Sequence, residues 1–173
     1  MANLDPEYTQ DWSIFLAPSL SKLFPTPPTK PMKAVEIGSF EGRGTRTLFE
    51  RLAAHHRDSR LYCVDPWQDV YVPGKTSKFG DIDQLFIGQY QRFLRNTRDL
   101  GTKIVPMKGM SDQVVPMIGD RLDFALIDGD HSPEQVYRDA SMLLPLMRKG
   151  GVILFDDYPW IHNGVRCSEG IDR

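Results

Sequence analysis

Cysteine is scarce in this chain: Cys63 and Cys167 are the only two among 173 residues. Two thiols cannot supply the several bridges that staple a small secreted scaffold. Cys63 lies inside an apolar run and reads as a buried core thiol. Positive charge is not in excess either. Lys and Arg number 21 against 23 Asp and Glu, a formal net charge of −2. No basic run of the kind that follows phosphates occurs, so nucleic acid is not an expected partner. No apolar stretch reaches the ~20 residues of a membrane span, and no membrane partner is expected. The opening residues, "MANLDPEYTQDW", lack a basic region followed by an apolar one, which argues against a signal peptide. The expected location is the cytoplasm.

What is present is an ordinary globular composition, 40% hydrophobic and 25% charged, in a chain long enough for one domain with a real core. The segment "FPTPPTKP", residues 24–31, holds four prolines and reads as an extended connector. It divides an N-terminal helical segment with its connector, 1–32, from a main domain, 33–173. In the first part Trp12, Phe15, Leu16, Leu20, Leu23 and Phe24 recur at a spacing that predicts one or two short amphipathic helices.

Beyond the connector, apolar runs alternate with helical patterns. "KAVEIG", "RLYCVD", "KIVPMK", "LDFALID" and "GGVILFD" read as buried strands of a parallel sheet. "GTRTLFERLAAHH", "DIDQLFIGQYQRFLRN", "SDQVVPMIG" and "SPEQVYRDASMLLPLMRKGG" read as helices between them. The last starts on Ser-Pro, a cap followed by an N1 proline, and Pro145 is expected to kink it or end it early. The alternation implies an α/β fold, a Rossmann-like doubly wound and mostly parallel sheet, whose ligands bind beyond the carboxyl ends of the strands. Asp65, Asp128 and Asp156 each stand at such an end.

The first strand runs into "VEIGSFEGRGT", with Gly38, Gly42 and Gly44 at its turn into a helix. The spacing is not the G-x-G-x-x-G of nicotinamide enzymes. Glu36, a carboxylate inside an apolar strand, needs a partner, and it favours a cationic or zwitterionic ligand over a pyrophosphate. Asp65 ends the second strand, where an acid accepts hydrogen bonds from ribose hydroxyls or else caps the turn before Pro66. Asp130 and His131 follow Asp128 closely. Asp130 suits a cap for the helix starting near Ser132, and a lone histidine such as His131 is more often a surface residue.

In this order, "VEIGSFEGRGT", "CVDPW", "KGMSDQVVP", "DFALIDGDHSPEQVYRDA" and "GGVILFDDYPW" resemble the class I S-adenosylmethionine-dependent methyltransferases. Within them the chain is most similar to the macrocin-type and other antibiotic-sugar O-methyltransferases, and more distantly to the catechol O-methyltransferases. The resemblance spans about residues 33–166. It implies that Glu36, Gly38, Ser39 and Gly42 cradle the methionine half of the cofactor and that Asp65 binds the ribose. It implies that Ser111 lies beside the adenine, with Met110 and Trp67 as apolar neighbours. Asp128, Asp156 and Asp157 match three carboxylates that hold a divalent cation, usually magnesium, and Asp128 also borders the cofactor. Asp130 and His131 match positions near the acceptor, where some relatives keep a general base. Oxygen ligands favour magnesium or calcium over zinc, and the cation would lower the pKa of the acceptor hydroxyl.

Two departures from the family pattern carry expectations. Gly44 stands where relatives commonly carry serine, so a hydroxyl contact to the cofactor passes to Thr45 and backbone N–H groups. The family's last two strands have no counterpart before Arg173. The fifth strand is therefore expected beside an open edge that pairs with a second copy, with weak turnover. The leading function is a metal-assisted O-methyltransferase acting on a small-molecule hydroxyl. The alternatives are a cofactor-binding protein without transfer activity and, third, a nucleotide-linked oxidoreductase. Residues 68–84, "QDVYVPGKTSKFGDIDQ", are expected to form a lid that helps choose the acceptor.

Overall fold

A computed structural model describes residues 5–9, 13–68, 76–77, 80–81, 87–162 and 164–173; of 76, 77, 80, 81 and 162 it describes the backbone alone. The expected lid falls largely outside these residues, as do Trp12, Leu85 and Phe86 of the two helical patterns.

Each of the five apolar runs forms a strand: β1 Lys33–Ile37, β2 Arg60–Asp65, β3 Ile104–Lys108, β4 Leu122–Ile127 and β5 Met147–Phe155. They pair in parallel in the order β3-β2-β1-β4-β5. The crossovers carry helices: α1 Leu16–Leu23 before the sheet, α2 Arg43–Leu48, α3 Gln89–Thr97, α4 Ser111–Val114, α5 Pro133–Leu143 and, last, α6 Ser168–Ile171. Pro145 lies in the single 3-10 turn Leu144–Leu146 that follows α5, so the helix ends early as its proline predicts. Among the described residues no helix is long and apolar enough to cross a membrane.

Side chains alternate across a strand, and the sheet buries two separate cores. Ala34, Leu61, Cys63, Phe124 and Leu126 pack on one face with Leu16 and Leu20 of α1, Leu48 of α2 and Phe93 of α3. Val35, Ile37, Val64, Ala125 and Ile127 pack on the other with Val114 of α4 and Leu143 of α5. Glu36 falls in step with Ala34, so its carboxylate is directed at the α1–α2 face. The N-terminal segment is thus part of the same core as the strands.

β5 differs from its neighbour. Phe124–Ile127 of β4 are at most 4% exposed, whereas residues 152–155 of β5, aligned against them, are all partly exposed. Among the described residues no strand of the sheet lies beyond β5.

Candidate active site

The hydrogen-bond ladder continues past the strand ends and fixes the rim loops to one another. Gly38 N–H donates to Val64 O at 2.8 Å, Asp128 N–H to Ile37 O at 2.9 Å, and Gly109 N–H to Asp65 O at 3.0 Å. The loops after β1 and β4 approach so closely that a Cβ on Gly38 would stand 1.9 Å from the Asp128 carbonyl oxygen. Gly38 also has φ +92°, a conformation that side chains disfavour.

Glu36 is fully buried behind this turn. Thr45 Oγ1 donates a short hydrogen bond to its carboxylate. Burial pushes the Glu36 carboxyl up to about 7, against the opposing pull of the Thr45 hydroxyl. A Cβ on Gly44 would meet Glu36 Oε1 at 2.6 Å. In this chain the Glu36 carboxylate takes the space that a side chain at position 44 would fill, and Thr45 contacts that carboxylate. Ser39 Oγ is buried and has no hydrogen-bond partner among the described residues. Gly42, with φ +84°, begins α2 and packs against α3; a Cβ there would stand 2.8 Å from Thr97 Cγ2.

Asp65 ends β2 with both oxygens engaged. Oδ2 accepts from Phe40 N–H at 2.9 Å and Oδ1 from Trp67 N–H at 2.7 Å. Both donors are non-glycine residues at positive φ, 44° and 40°, so the acid holds strained loop backbone on its two sides. Trp67 itself is 1% exposed. Its indole N–H donates to Phe40 O at 2.7 Å, and its ring packs on Tyr90 and Phe93. The structure therefore places Trp67 in the core beneath the loop, while Met110 and Ser111 line the cavity. Ser111 Oγ donates to Asp139 Oδ1 at 2.6 Å. Asp139 and Gln135, on α5, were not expected at the site. A signal was available: Asp139 stands on the side of the helix that buries Val136 and Leu143, where an acid requires a reason.

Asp128, Asp156 and Asp157 come together. Each offers a carboxylate oxygen, and the three lie within 4.8 Å of one another. Burial, then Asp156, Glu36 and Asp157, push the Asp128 carboxyl up to about 9. Burial and Asp157 push Asp156 upward as well. His131 Nδ1 sits 2.8 Å from Asp157 Oδ2, and this hydrogen bond raises the imidazole above its ordinary value against the effect of burial. The C-terminal residues fix His131 from behind, for Cys167 Sγ donates to its carbonyl oxygen at 2.7 Å. Asp130 Oδ1 accepts from Ser132 N–H at 2.7 Å, an Asx turn just ahead of α5; the N-cap residue is Ser132 itself, and no side chain caps the helix.

A cavity of about 580 Å3 opens at the carboxyl ends of the strands, and neither Asp156 nor Asp157 is part of its lining. Glu36, Gly38, Ser39, Asp65, Met110 and Ser111 line it, as do Asp128, Asp130 and His131. Among the other site residues, Gly42, Thr45 and Trp67 support the wall from behind, and Asp157 faces a small cleft beside His131.

A methyltransferase-domain family matches residues 35–158. The chain is 26% identical over 169 residues to a flavonoid 3',5'-methyltransferase of Vitis vinifera, covering 91% of this chain and 62% of that enzyme. It thus spans less than two thirds of that relative's length. In fold it is similar to a protein of Klebsiella pneumoniae assigned as an O-methyltransferase, with a TM-score of 0.64 at 17% identity over 94% of this chain and 67% of that one. It is also similar to the O-methyltransferase NovP, with a TM-score of 0.61 at 20% identity over 82% of this chain and 62% of that one. With the family spanning the sheet from β1 to the acids after β5, the chain belongs to the methyltransferase-domain family.

Proposed function

We propose that the protein transfers a methyl group from S-adenosylmethionine to a hydroxyl of a small molecule, assisted by a divalent cation at Asp128, Asp156 and Asp157. The observation that carries this reading is the meeting, at one rim, of a cavity able to take a nucleoside-linked amino acid and three mutually repelling carboxylates. The residues fit both groups. Ser39 Oγ is a buried hydroxyl without a partner among the described residues, and Glu36 is a buried acid on the cavity wall; both suit the charged amino-acid end of the cofactor. Asp65 has lone pairs left for ribose hydroxyls. Oxygen ligands from three acids suit magnesium, and a cation would offset both the burial and the neighbouring acids that push the Asp128 carboxyl upward. The similarity to a flavonoid methyltransferase supports a small-molecule acceptor.

When bound, the cofactor supplies an electrophilic methyl group on a sulfonium and the cation supplies Lewis acidity toward the acceptor oxygen. The chain's own residues do the rest. Glu36 and Asp65 hold the donor in one orientation, which is where much of the acceleration of a group transfer resides. Asp157 binds Nδ1 of His131, and this turns Nε2 of the ring toward the task of removing the acceptor proton. Calorimetry with S-adenosylmethionine, followed by turnover on a panel of catechols, simple phenols and sugars, tests the reading. Binding and magnesium-dependent transfer are expected. Transfer that survives exhaustive chelation would remove the metal, and a folded protein that does not bind the cofactor would sink the proposal.

A further inference from the structure

The cavity reaches a buried acid that the proposed mechanism does not use. Asp139 is 1% exposed, yet it lines the cavity. Its two oxygens are used unequally. Oδ1 accepts from Ser111 Oγ at 2.6 Å and from Gln135 Nε2 at 2.9 Å. Gln135 Nε2 also donates to Ser111 Oγ at 3.2 Å, which uses both of its hydrogens and closes a three-membered ring of hydrogen bonds. Oδ2 has no hydrogen-bond partner among the described residues. Burial pushes the Asp139 carboxyl upward, and the Ser111 and Gln135 bonds draw it back down. The ring fixes the Asp139 rotamer, so Oδ2 is an acceptor held in advance of its ligand.

We propose that Asp139 Oδ2 accepts an N–H of the exocyclic amine of the cofactor's purine and makes the site selective for a 6-aminopurine over a 6-oxopurine. The inference rests on the S-adenosylmethionine reading above. The cavity crosses the strand ends from Glu36 on β1, past Asp65 on β2, to Met110 and Ser111 after β3. A ligand with its amino acid at the first place and its ribose at the second has its base at the third. There Met110 offers an apolar face and Asp139 a carboxylate fixed by α4 and α5 together. An exocyclic amine brings donors to that oxygen. A carbonyl in the same place sets two acceptors against each other, and a buried polar mismatch discriminates far more strongly than shape does.

Calorimetry on the full chain with S-adenosylhomocysteine and S-inosylhomocysteine tests the inference. The wild type is expected to prefer the adenosyl ligand on the order of 10- to 100-fold. Asp139→Asn keeps an acceptor toward Ser111 and Gln135 but turns an NH2 group into the cavity, so it should abolish or reverse the preference. A merely structural Asp139 would instead lose affinity for both ligands equally. Equal affinities in the wild type overturn the inference without any variant and leave the methyltransferase reading intact, because the adenosyl ligand still binds. An unchanged preference in a folded Asp139→Asn protein also overturns it. Should that variant not fold, Gln135→Leu, which releases the Asp139 rotamer, must lower the preference. Failure of both ligands to bind removes the cofactor reading and the inference together.

Discussion

Glu36 is an acid whose ordinary state is set by its surroundings. Its titratable neighbours are Asp65 and Asp128, both acids, and the Cys63 thiol, which burial keeps well above its usual range. In the fold the carboxyl holds its proton up to about pH 7, and in the unfolded chain it releases it near 4.5. Between these values unfolding releases a proton. The Glu36 contribution to stability is therefore fully present below about pH 4.5 and is lost as pH rises toward 7, an effect of at most about 3 kcal/mol. Denaturant melts of the wild type should show this decline, and Glu36→Gln should flatten it. Cofactor binding should run the other way. A cationic ligand selects the ionised acid, so S-adenosylmethionine affinity should rise with pH, by up to about tenfold per unit below pH 7, and Glu36→Gln should be indifferent to pH. Asp65 has a different duty: it holds two loop N–H groups, and under the proposed function it takes the ribose as well. Asp65→Ala should lose about 1.5–3 kcal/mol of cofactor affinity, measured by calorimetry; an unaltered Kd in a folded variant removes Asp65 from the site.

At the scale of elements, the turn from β1 into α2 is built around the Glu36 carboxylate, which excludes a Cβ at Gly44. Gly44→Ala should therefore destabilise the wild type by about 1–3 kcal/mol through overpacking. In a Glu36→Ala background the obstacle is gone, and the same change should stabilise by up to ~1 kcal/mol from helix propensity. A double-mutant cycle on urea melts checks the change of sign. The acids at the other side of the rim come from two loops, after β4 and after β5, so a cation at Asp128, Asp156 and Asp157 would join the two. Magnesium should raise the melting temperature of the wild type, and Asp156→Asn together with Asp157→Asn should cancel that rise. No response of the wild type to millimolar magnesium or calcium would speak against the cation.

For the whole molecule, the sheet buries Phe124–Ile127 of β4 and leaves β5 partly exposed. An edge strand of apolar residues offers unpaired backbone groups to another chain. Light scattering behind size-exclusion chromatography should show concentration-dependent self-association of this chain. Placing Lys at Ile153 or Leu154 should reduce it. A monodisperse monomer at high concentration would refute that expectation.

Periodicity and end signals in the sequence determined much of this protein: five apolar runs became five parallel strands, because a strand covered on both faces must be apolar throughout. They also located the acids at strand ends, since an acid bordering an apolar run has to stand where the sheet meets solvent. What lay between residues distant in the chain was decided only by packing. Trp67 follows Asp65 by two residues, yet its positive φ turns the ring into the core and away from the cavity. Gln135 and Asp139 meet Ser111 across 24 and 28 residues, because α4 and α5 pack side by side on one face of the sheet. Asp128, Asp156 and Asp157 are close only because β4 and β5 are neighbours, and no local pattern encodes which strands pair. A side chain's partner is fixed by the layers that close over it, and those layers exist only once the chain has folded.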